Sequence, residues 1–133
     1  MFSFLIISND ISFSNCIFQT FCTMGTPRLE IDGRIFLEAD QGMKHGWIAC
    51  QRIENINDDY EEDELIEINE LVPNASFYLV EGRNEKMNFS NELIMKMNPL
   101  HKLLIDNDHG LIADISVIKN KIKSNQDWLY STE

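Results

Sequence analysis

The chain predicts an α+β fold: a single compact domain, residues 1–133, holding an antiparallel or mixed sheet of about five to seven strands and about two to three helices. Three observations lead there. A length of 133 residues suits one domain. A composition of 44% hydrophobic and 25% charged residues is that of a globular chain. Short apolar runs bounded by Gly, Pro, Asn and Asp alternate with stretches of helical spacing. Folding at this size buries roughly two-thirds of the unfolded surface, so no disulfide or metal is required.

Phe4 to Ile7 are continuously apolar, which suits a strand buried on both faces. The apolar start carries no Lys or Arg, and Asn9 and Asp10 interrupt it too early for a signal peptide or membrane span. Asp10 or Ser12 caps a helix in which Phe13, Ile17, Phe18 and Phe21 recur near helical spacing, closed by Gly25 and Pro27. Arg28–Ile31 and Arg34–Glu38 flank Asp32-Gly33, a hairpin signal. Beyond Gly42 and Gly46 a strand sets Trp47, Ala49 and Gln51 on one face and Ile48, Cys50 and Arg52 on the other. Trp47 and Trp128 are expected in the core.

Leu65, Ile68 and Val72 follow helical spacing, so residues 61–72 read as an amphipathic helix. The alternative is a strand, because Ile66 and Ile68 alternate with Glu67 and Asn69. Pro73 and Asn74 end the element, and Phe77–Val80 is a strand. Leu93–Met97 is a short helix or a strand. Lys102–Ile105 and Leu111–Ala113 pair across the turn Asp106-Asn-Asp-His-Gly110, which carries His109 at its exposed tip. Asp114 caps a last helix with the apolar stripe Ile115, Ile118 and Ile122, and Trp128, Leu129 and Tyr130 fold back on the core.

Charge is the most informative property. Twenty-two acids against eleven Lys and Arg leave a net charge of −11. Ten of the acids fall in residues 53–82, a window without a single Lys or Arg. The other 103 residues carry a net charge of −1. Such a balance argues against nucleic acid or an anionic membrane as a ligand. A solvated surface needs no such concentration, since the remainder is nearly neutral. The apolar residues Leu65, Ile66, Ile68, Leu71 and Val72 also tie the block to the fold, so it is more than an acidic tail. We read it as a preformed anionic surface for a cationic partner.

No established catalytic signature is present. Residues 57–64 supply oxygen ligands without the Gly of a calcium loop, and Asp106–Gly110 sets its Gly one residue early with no following Glu. His45, His101 and His109 lack zinc spacing. Cys16, Cys22 and Cys50 form no C-x-x-C and read as reduced thiols, small buried hydrophobes of a cytoplasmic protein. Pairing Cys50 with His45 or His109 is formally available but unspecific. Gly42 and Gly46 have no phosphate-loop context. Neither a cofactor nor a metal is expected.

The run Leu103–Ile112, the closing Gln126-Asp-Trp-Leu-Tyr130 and the acidic block before them resemble the immunity proteins that neutralise secreted bacterial toxins, above all those of contact-dependent growth inhibition systems. Those proteins share a role rather than a fold, so no motif carries over residue by residue. The resemblance implies a partner, the cognate toxin C-terminal domain, often a basic nuclease, met in the cytoplasm. Carboxylates that imitate phosphates would occlude its active site. The expected contact residues are Asp58, Asp59, Tyr60, Glu61, Glu62, Asp63, Glu64, Glu67 and Glu70, joined by Asp108 and His109. Tyr60 or Ile56 would act as a desolvated anchor. On this reading the protein is not an enzyme. The alternative from a different class is a small metal-dependent enzyme or binding domain using the Asp106–Gly110 turn.

Overall fold

The first strand of the chain lies inside the sheet, with a neighbour on each side. In the computed structural model, which describes residues 1–56 and 59–133, β1 (Phe2–Ser8) pairs antiparallel with β5 (Ser76–Asn84) on one side and β6 (Leu103–Asp106) on the other. The remaining strands are β2 (Arg28–Leu29), β3 (Ile35–Glu38), β4 (Gly46–Ile53) and β7 (Ile112–Asp114). Seven strands run in the order β2-β3-β4-β5-β1-β6-β7, every pair antiparallel. The helices are α1 (Phe13–Met24), α2 (Glu62–Leu71), α3 (Phe89–Lys96) and α4 (Ile115–Lys123). The fold is α+β, as the sequence predicts. Phe89–Lys96 resolves the helix-or-strand choice around Leu93 and supplies the fourth helix. No helix among the described residues is long and apolar enough to cross a membrane.

Strand periodicity sorts the side chains into two layers. Phe2, Phe4 and Ile6 of β1 face α1, α3 and α4, joining Phe21, Leu93 and Ile118 in the larger core. Ile7, with Leu5 packed beside it, faces the smaller cluster, where Ile68 and Val72 sit over Phe77 and Leu104. A continuously apolar strand is what a central, doubly covered position demands. In β5, Gly82 permits close approach: a Cβ there would run into the Trp47 carbonyl oxygen and the Phe2 ring. Cys50 is fully enclosed, and burial pushes its thiol up to about 12.

Helix ends follow their capping chemistry. Asp114 caps α4, its carboxylate accepting from the Ser116 N–H at 2.9 Å. At α1 the N-cap is Ser12 without a side-chain bond, and Asp10 instead accepts from the Ser12 N–H and hydroxyl. Those bonds hold the Asp10 carboxyl below its ordinary range. The residues 61–72 form a helix rather than a strand. The Glu64 carboxylate accepts from the Glu61 N–H at 3.0 Å, and Asn74, at φ 55°, terminates the run.

Several placements differ from expectation. Phe13, Ile17 and Phe21 share one stripe at intervals of four, whereas Phe18 lies one residue off it and is 38% exposed. Cys22 is exposed and Cys16 half-buried, so only Cys50 is a core thiol. Trp128 is buried as expected, but Trp47 is half-exposed on the face of the sheet that α2 leaves open. There it stacks on Phe36 at 5.6 Å, and Arg28 lies 4.4 Å over the same ring.

Candidate functional site

The smaller face of the sheet brings together the two stretches that the sequence singles out. Leu104 and Asp106 point to this face from β6, and Tyr60 reaches it from the segment before α2. The Tyr60 hydroxyl donates to Asp106 Oδ2, and the Asp108 N–H donates to Asp106 Oδ1 at 2.9 Å. Tyr60 also tilts against Phe77, ring centroids 5.6 Å apart. Burial, reinforced by the Asp106 carboxylate and by the charges of Glu64 and Asp108, raises the Tyr60 phenol above its ordinary value.

Around this pair is a concavity of about 220 Å³ lined by Ser3, Phe4, Leu5, Ile53, Ile56, Asp59, Tyr60, Leu79, Asp106 and Asp108. Leu5, Ile53, Ile56 and Leu79 give it an aliphatic part, and its polar groups are mainly carboxylates. Asp59 and Asp108 are exposed at its edge, while Asp106 retains 7% of its surface. Among the described residues, no three His, Cys, Asp or Glu side chains converge closely enough to hold a metal ion.

The remaining expected contact residues divide clearly. Glu61, Glu62, Asp63, Glu67 and Glu70 are exposed, and Glu64 is half-buried through its capping role. Asp58 lies outside the described residues. Tyr60 and Ile56, expected as anchors on the acidic surface, are instead 9% and 7% exposed and belong to the smaller core. A phenol between Asp106 and Phe77 lowers the cost of burying that carboxylate, so its role is inside the fold. Two aliphatics stand outward in their place: Ile66 at 54% exposure and Leu71 at 50%. His109 is exposed, and its ring meets Tyr130 edge-on at 5.2 Å.

Two residues matter more than their sequence context suggests. Asp106 reads as the start of a turn but is the last residue of β6, its side chain turned to the concavity. Asn107 is fully buried: its amide donates to the carbonyls of Trp128 and Ser131 at 2.7 Å and accepts from the N–H groups of His109 and Leu111. It fastens the closing segment to the turn. An Asx residue in a Gly-containing turn is the only signal for either, and that pattern is explained locally.

No family model, no curated protein and no solved structure matches this chain.

Proposed function

We propose that the chain is an inhibitor of the immunity type, which binds a basic toxin domain across α2 and occludes its active site. One observation carries this reading. Every ion pair among the described residues uses an acid outside residues 59–70: Glu30, Asp32, Glu38, Glu54, Glu85 or Glu92. Asp59, Glu61, Glu62, Asp63, Glu64, Glu67 and Glu70 form no ion pair among the described residues. A surface whose charge is left uncompensated raises the association rate with a cationic partner and repels acidic ones.

Affinity needs a desolvated centre as well as a charged rim. Ile66 and Leu71 supply two apolar points on α2, Ile66 beside Glu62 and Glu70 and Leu71 beside Glu67. A partner with a shallow apolar groove bordered by Lys and Arg would fit this surface, and a nuclease site that binds phosphates offers such a border.

The test is binding to the C-terminal domain of the product of the adjacent reading frame, at low and high salt. Tight binding is expected, with association slowed roughly tenfold or more at high salt and no effect of chelators. Absence of binding at both salt concentrations overturns the proposal.

A further inference from the structure

We infer that the groove between α1 and the β2–β3 hairpin receives Ile31 of a second copy of this chain, forming a twofold dimer. Ile31 lies in the turn of that hairpin and is fully exposed. The Glu30 N–H donates to the Arg34 carbonyl at 2.8 Å, and the Gly33 N–H donates to the Glu30 carbonyl at 3.0 Å. The turn is thus closed, and Ile31 stands outward with no apolar burial of its own. Beside it lies a concavity of about 270 Å³. Buried Ile35 and Tyr78 form its floor, while Phe18 and Leu29, 38% and 69% exposed, stand at its rim. Three large apolar side chains exposed at one place make a patch rather than scattered surface residues. Knob and groove adjoin on one surface, so a twofold axis between them makes both contacts at once, as an isologous interface requires.

Charge selects the occupant. Ile31 is flanked in sequence by Glu30 and Asp32, and among the described residues lining the groove Arg52 alone is charged. Arg52 reaches Glu54 only at 3.8 Å with both ends exposed, so it stays open to a carboxylate from outside. Along the hairpin, Arg28 and Arg34 cancel Glu30 and Asp32, in a chain of net charge −11. Two copies therefore meet here without the like-charge repulsion that contact through α2 would impose. Helix α1 packs on the larger core and α2 on the smaller, on opposite faces of the sheet. The dimer thus leaves both α2 helices free, and the inference does not rest on the proposed docking function.

Sedimentation equilibrium of the full chain should show a monomer–dimer equilibrium with a dissociation constant of about 0.1 mM. In a mixture of isotope-labelled and unlabelled chains, the Ile31 methyl groups should give intermolecular NOEs to the Phe18 ring. Ile31→Ser should weaken the dimer roughly tenfold or more, because each interface loses two isoleucines. Its melting temperature at low concentration should be unchanged, since Ile31 is fully exposed in the single chain. Ile66→Ser, on the exposed side of α2, should leave the equilibrium as it is. A chain that stays monomeric at about 1 mM overturns the proposal. So does a dimer that Ile31→Ser leaves intact, or one that Ile66→Ser weakens equally.

Discussion

Helices α2 and α4 carry opposite charge, and most of it has the same origin. Five acids and no base decorate α2, whereas α4 has Lys119, Lys121 and Lys123 and no acid. In α2, Glu62, Asp63 and Glu64 occupy the first turn; in α4, Lys121 and Lys123 occupy the last. Both arrangements complement the helix dipole. Lys119 donates to the Met97 carbonyl and so also serves the fold. Glu67 and Glu70 have no such account. They lie toward the C-terminal end of α2, where carbonyl groups already concentrate negative charge, and they form no ion pair among the described residues. The comparison teaches that a charge run must be sorted by position along its helix before it is read as an interface.

The two helices also sit on cores of unequal depth, and substitutions can break that asymmetry. On the α4 side, Trp128 packs edge-on against Phe4 at 5.0 Å and donates to Asn91 at 2.7 Å. Trp128→Ala should cost about 3–5 kcal/mol in chemical denaturation. A loss under about 1 kcal/mol would mean that this face is no more stabilising than the other. On the α2 side, Tyr60→Phe deprives Asp106 of a donor and should cost about 1–3 kcal/mol.

The same residue sets a pH dependence. The folded protein favours the neutral Tyr60 phenol, so that contribution is complete below about pH 10 and is lost as pH rises beyond it. Tyr60→Phe should therefore flatten the alkaline decline in stability. The part due to Cys50, whose thiol titrates at about 12 in the fold, should persist.

The smallest stability effect is expected at the surface. Replacing Glu67 and Glu70 by Lys should stabilise the free protein by about 0.3–1 kcal/mol through the dipole, while slowing association with the toxin domain. Destabilisation by this pair would make both acids structural, and the distinction between the helices would disappear.

Local pattern made much of the fold legible. Alternation across Trp47–Arg52 gives the correct faces, with Ile48 and Cys50 inward to the larger core. Asp114 is a recognisable cap because an Asp before an apolar stripe has one main use. The Asp32-Gly33 hairpin also forms, though with a longer loop: Glu30 and Arg34 close it, and Gly33 takes φ 90°. At α2, the Glu61 N-cap gives little warning, since Glu is not among the favoured capping residues.

The candidate site was legible only in halves. The acidic helix and the Asp106–Gly110 turn each stand out in the sequence, but nothing local joins Tyr60 to Asp106, which are 46 residues apart. Sheet order makes that connection, by setting β6 beside β1. Trp47 was misread for a related reason. Strand alternation assigns it a face, but does not say that no helix covers that face.

The central place of β1 has a consequence for the order in which the chain is made. Phe2–Ser8 is synthesised well before both its neighbours, Ser76–Asn84 and Leu103–Asp106. Until then a seven-residue strand, apolar on both faces, has neither edge occupied. Such a segment can pair with any exposed strand it meets, including the same strand of another nascent chain. The strand that joins the two parts of the finished sheet is thus the one that waits longest for its partners.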